Sequence, residues 1–206
     1  MNKGKEQKGD SMQTNSAEDY LKEGDKFRKQ RKWRDAVKAY SEAIELDKDD
    51  FRSFERRGRC SFELGDYHQV ILDLTRAAEI QPNRYLLYDL RGRAYALIGD
   101  KSAVAADFTK AIELHPGHNV YLHKALAFSQ MGEYDQAITD LNKAIEIKLD
   151  YAYAYLHRGM IYQKLGEKEK AKADFLHTIE LDANRNWSDK ARALYQEMID
   201  KEGGAG

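Results

Sequence analysis

The chain has 206 residues, 33% of them charged and 42% hydrophobic, with a formal net charge of −1 and a mean hydropathy of −0.79. That balance gives no global attraction to nucleic acid or an anionic membrane, and no stretch is apolar for long enough to span a bilayer. MNKGKEQKGD, at the start, lacks the apolar core of a secretory signal, and the single cysteine, Cys60, excludes a disulfide framework and points to a reducing, cytoplasmic setting.

Residues 1–16 are polar apart from Met1 and Met12. Such a segment buries too little surface to offset the entropy of ordering, so it is expected to be a disordered tail. From Ala17 the pattern turns helical and repeats itself. Gly24, Gly58, Gly92, Ala125 and Gly159 lie 34, 34, 33 and 34 residues apart, and Ala43, Ala77, Ala111, Ala144 and Thr178 keep the same rhythm. That period marks stacked repeats, each too small to bury a core alone.

Each repeat reads as two helices. In the third, the spacing of Tyr88, Arg91, Gly92 and Tyr95 predicts a first helix over 85–98, stopped by Gly99. Gly65, Gly132 and Gly166 take the same place in repeats two, four and five. A second helix over 101–114 carries Val104, Phe108, Ala111 and Ile112 as its apolar stripe, and Pro116 follows where it cannot extend the helix. The small residues allow close helix approach, so a bulky side chain at Gly92 or Ala111 is expected to overpack the hairpin by roughly 1–3 kcal/mol. Beyond the repeats, Trp187, Ala191, Leu194, Tyr195 and Met198 share one helical face within 187–201, as expected of a cap over the last repeat. The ending, 202–206, reads as a flexible tail.

The run aromatic–x–x–small–x–x–aromatic, then Gly, then Ala/Val–x–x–x–aromatic/Leu–x–x–Ala, then Pro resembles the tetratricopeptide repeat (TPR). The resemblance implies an all-α, right-handed α-solenoid of five helix-turn-helix repeats, at 17–50, 51–84, 85–117, 118–151 and 152–185, with a capping helix over 186–201. Arg31 stands where other repeats have the turn glycine, Ser61 replaces an aromatic, and Leu149 and Ala183 replace the closing proline. These departures touch local capping only.

Arg57, Arg91, Lys124 and Arg158 each precede an acid, Asp73, Asp107, Asp140 and Asp174, by 16 residues, while the first repeat has Glu23 and Ala39 there. Base and acid occur together and are missing together. This suggests ion pairs joining the two helices of a hairpin or adjacent hairpins, and it removes these bases from any ligand patch.

In the family, first helices line a concave groove that commonly takes extended peptides. The resemblance therefore implies a groove formed here by Arg52, Arg56, Arg59 and Arg93, then Leu86, Leu90, Leu122 and Leu126, with His123, Tyr153 and His157. A surface basic at one end and apolar at the other suits a partner with acidic residues beside hydrophobic anchors. Glu55 and Asp89 dilute the positive field, and some of the leucines can serve simply to pack neighbouring helices. TPR binders of chaperone tails use a carboxylate clamp of Lys, Asn, Asn, Lys and Arg. The matching places here hold Leu21, Asp25, Arg56, Leu86 and Leu90, so capture of chaperone C-terminal tails by such a clamp is not expected.

His123 and His157 are one repeat apart and lack a third ligand, which favours hydrogen bonding in the groove over metal binding. Cys60 stands where other repeats have small or apolar core residues. No phosphate-cradling glycine loop, HExxH or GxSxG motif occurs. The sequence thus points to a monomeric, non-catalytic adaptor binding a protein or peptide partner, without cofactor or metal, nucleic acid or membrane. The alternatives are a structural subunit using its convex face or ends and, less well supported, an RNA binder.

Overall fold

A computed structural model describes residues 15–182 and 186–203 and shows, among them, eleven helices and no strand. In chain order they are α1 (Ala17–Lys29), α2 (Trp33–Leu46), α3 (Phe51–Leu64), α4 (Tyr67–Ile80), α5 (Tyr85–Ile98), α6 (Lys101–Leu114), α7 (His118–Gln130), α8 (Tyr134–Ile147), α9 (Ala152–Lys164), α10 (Lys168–Leu181) and α11 (Asn186–Gly203). Consecutive pairs α1/α2 to α9/α10 form hairpins, and each second helix packs on the next first helix. The third hairpin starts and stops at the residues its apolar spacing predicts.

Small residues set the closeness of each hairpin. Ala43, Ala77, Ala111, Ala144 and Thr178 are all fully buried. A Cβ at Gly92 would sit 3.1 Å from Phe108 Cε2, one at Gly159 2.8 Å from Phe175 Cε1, and one at Gly24 would overlap the Tyr40 ring. The buried apolar residues form four clusters strung along the chain, as a solenoid requires. Ala191 and Met198 of α11 complete the last of them over Leu156 and Phe175.

The ends of the first helices turn through the left-handed region. Gly65, Gly99, Gly132 and Gly166 have φ of 78°, 82°, 79° and 76°, and Arg31, in the equivalent place, is held at φ 56°. A side chain there costs backbone energy that glycine avoids.

Three of the four spaced charge pairs are forked. Arg91 donates from Nε and Nη2 to Asp107 at 2.8 and 2.7 Å, and Arg57 and Arg158 hold Asp73 and Asp174 in the same way. The remaining nitrogen, Nη1, reaches back to the preceding hairpin, to Ser41, Thr75 and Asn142 respectively. The arginines therefore join both the helices of one hairpin and adjacent hairpins. Lys124, with its single ammonium, reaches Asp140 at 2.9 Å. Burial pushes the Asp73 and Asp140 carboxyls up, against the pull of Arg57 and Lys124. Such pairs fix geometry more than they drive folding.

Some boundaries differ from the sequence reading. Ser16 caps α1, accepting from the Asp19 amide, so order begins inside the expected tail; residues 1–14 lie outside the described residues, as does Ala183. Helix α11 continues to Gly203, past the expected 201, and 204–206 lie outside. Trp187, 40% exposed, packs its ring at a tilt on Tyr153 of α9, 4.3 Å between centroids.

Candidate functional site

Helices α1, α3, α5, α7 and α9 recur at 33- or 34-residue intervals, so equivalent positions fall side by side on the inner face of the solenoid. Two neighbouring cavities open there. The smaller, about 210 Å³, is bordered by Arg28, Arg59 and Arg93 with Trp33, Phe62 and Leu90. The larger, about 310 Å³, is bordered by Leu97, Leu126, His123, Tyr153 and again by Arg93 and Phe62. The sharing of two walls makes them one cleft, guanidinium-rich toward α1 and apolar toward α9.

Most of the basic wall is already neutralised. Arg28 lies 3.5 Å from Asp25, a carboxylate that also receives Arg56 at 2.5 Å, although Arg56 borders neither cavity. Arg59 holds the buried Glu55 at 2.9 Å, which Arg84 also holds at 2.7 Å. Arg52 is outside both cavities, engaged by Asp50 at 2.7 Å and Glu18 at 3.1 Å. Arg93 differs: its guanidinium lies 4.8 Å from the Phe62 ring centroid, and it has no carboxylate partner among the described residues.

The apolar half also divides. Leu126 and Tyr153 border the larger cavity. Leu122 is 3% exposed inside the core shared by α5 to α9, so it packs helices together and offers no open anchor. Leu90, 7% exposed, is also a core residue and shows only an edge to the smaller cavity. Leu86 is half-buried and borders neither cavity.

The two histidines occupy different environments. His123 Nδ1 lies 2.9 and 3.0 Å from the oxygens of Asp89, a buried carboxylate of the preceding first helix, so a hydrogen bond in the groove accounts for it. His157 packs on Tyr153 at 4.4 Å, and burial, aided by the charge of Lys190, lowers its pKa to about 4. The ring is neutral at pH 7. No three His, Cys, Asp or Glu side chains converge as a metal site among the described residues. Cys60 is buried, and burial pushes its thiol up to about 11, far from a nucleophile's range.

Phe62, Trp33 and Gln130 are among the cavity walls that residue type alone did not single out. Phe62 follows Arg59 by three positions and so shares its helical face. That spacing was the available signal.

No curated protein matches the sequence. Structures of known proteins do. The crystal structure of MamA is 25% identical, with a TM-score of 0.71 over 81% of this chain and 92% of that one. YrrB, described as a TPR protein with an unusual peptide-binding site, is 16% identical, with a TM-score of 0.65 over 86% and 92%. TTC0263, a thermophilic TPR protein in Thermus thermophilus, is 16% identical, with a TM-score of 0.67 over 89% and 99%. Among the described residues no helix is long and apolar enough to cross a membrane. Models of the tetratricopeptide repeat match residues 21–85, 125–166 and 152–185, and with the helix hairpins they show that the chain belongs to the tetratricopeptide repeat family.

Proposed function

We propose that this protein is a non-catalytic interaction scaffold of five repeats that holds a partner's peptide segment, acidic and apolar together, in its inner cleft and so helps to assemble or localise a larger complex. One observation carries the reading: two adjoining cavities, one with three arginines and Glu63 among its walls and one more apolar, share the walls Arg93 and Phe62. Charge steers the encounter, and desolvated apolar contacts supply the larger part of the affinity. A lone, buried thiol suits a reducing compartment such as the cytoplasm. RNA binding fits less well, because the carboxylates of Asp25, Asp50 and Glu55 already occupy most of the guanidinium groups a phosphate backbone would need.

The test is affinity capture with the wild type and an Arg93→Glu, Leu97→Glu double variant whose helicity is first shown unchanged by circular dichroism. Both residues border the cleft, and Leu97 is 36% exposed, so its change spares the core. Proteins recovered by the wild type and lost from the variant are the expected outcome. Equal recovery by both would overturn the use of the cleft.

A further inference from the structure

The charges around the cleft are unequal in what they already hold. Asp25 serves Arg56 and Arg28, and Glu55 serves Arg59 and Arg84. Arg93 is the guanidinium bordering both cavities, half-buried against Phe62 and without a carboxylate partner among the described residues. Beside it, the buried Nε of Arg28 makes no hydrogen bond. One unmatched guanidinium balances one carboxylate. A second acidic side chain, or a dianionic phosphate, would meet the carboxylates of Asp25 and Glu55 and the Glu63 side chain at the rim.

The placing of the cavities sets a distance as well. The smaller is built around α3, between α1 and α5, and the larger around α5 and α7. Their centres are one to one and a half helices apart, about 9–14 Å at the usual interaxial spacing. Extended peptide advances roughly 3.1–3.4 Å per residue, so about three to four residues cover that span.

Resting on the peptide-binding reading above, we propose that the cleft recognises one acidic side chain, seated in the smaller cavity against Arg93, and one bulky apolar side chain in the larger cavity, about three to four positions apart in an extended segment. Specificity then comes from a single charge-assisted contact with a fixed offset to a hydrophobic anchor, and a run of acidic residues gains nothing.

The probes are end-blocked, fluorescein-labelled peptides in a Ser/Pro background, with one Glu and one Leu at separations of about one to six positions, in both orders. Anisotropy titration against the full chain is expected to show tightest binding at a separation of three or four, weakened about tenfold when Glu becomes Gln. Arg93→Gln should abolish that preference and keep the dependence on Leu, Arg93→Glu should favour the Lys peptide over the Glu peptide, and Lys110→Gln, on α6, should change nothing. Tightest binding at another separation, an undiminished Glu preference in Arg93→Gln, or much tighter binding of a poly-Glu or phosphoserine peptide would overturn the proposal while leaving the cleft a peptide site. Absence of binding by every peptide would sink the peptide-binding reading itself.

Discussion

In the third hairpin Arg91 clamps Asp107 and reaches Thr75 in the hairpin before it. The first hairpin has Glu23 and Ala39 at those places and fastens itself through Tyr40, whose hydroxyl donates to Asp25 at 2.8 Å. Burial, together with that carboxylate, pushes the Tyr40 phenol well up, so it remains a donor. Asp25 in turn receives Arg56 from the second hairpin. The interior hairpin grips the unit behind it, whereas the first, among the described residues, is gripped by the unit ahead. The polar link there moves to the inner face and points forward. Position in the array, as well as the repeat pattern, decides which charges a hairpin carries.

That contrast can be broken from either side. The largest effect is expected for Asp107→Ala, which strands a mostly buried guanidinium in the interior; urea unfolding should register a loss of about 3–5 kcal/mol. At the far end, next to the Arg158 fork, a histidine ring is buried in its neutral form. His157, with its pKa lowered from 6.5 to about 4 by burial, contributes stability that is whole above pH 6.5 and lost as pH falls toward 4. The loss reaches on the order of 3 kcal/mol, and His157→Phe should flatten the pH dependence of the melting temperature in that window. Tyr40→Phe removes one hydrogen bond while Arg56 keeps Asp25 satisfied, so the first hairpin should weaken by only about 1 kcal/mol. A result near the Asp107→Ala value would mean that the two fastenings are equivalent after all. The smallest effect is a gain. Arg31→Gly relieves a left-handed side chain and should raise stability by roughly 0.5–1 kcal/mol, read from the urea midpoint.

Much of this fold was legible in the residues. The helices over 85–98 and 101–114, the small residues at the hairpin contacts and the charge pairs 16 positions apart all follow from periodicity within one repeat. The site was only half legible. Arginine is visible as a residue type, but its partners are 29 and 31 positions away, as with Arg84–Glu55 and Arg56–Asp25, and depend on how one repeat is rotated on the next. Leu122 and Leu126 look alike in sequence. Four positions apart, they share a helical face, yet one is in the core and the other at the cleft, because the cover given by neighbouring helices changes from one turn to the next.

The arginine forks also bear on cooperativity. A guanidinium that holds its own hairpin and the one behind it makes neighbours open together. At the α6–α7 joint the ammonium of Lys124 holds Asp140 alone, and a cavity of about 410 Å³ lies beside it on the outer side, bordered by Thr109 and Phe128. The inner side of that joint stays bound through the core that α5 and α7 share. That joint therefore lacks the side-chain link to the hairpin behind it that the three arginine forks supply at theirs.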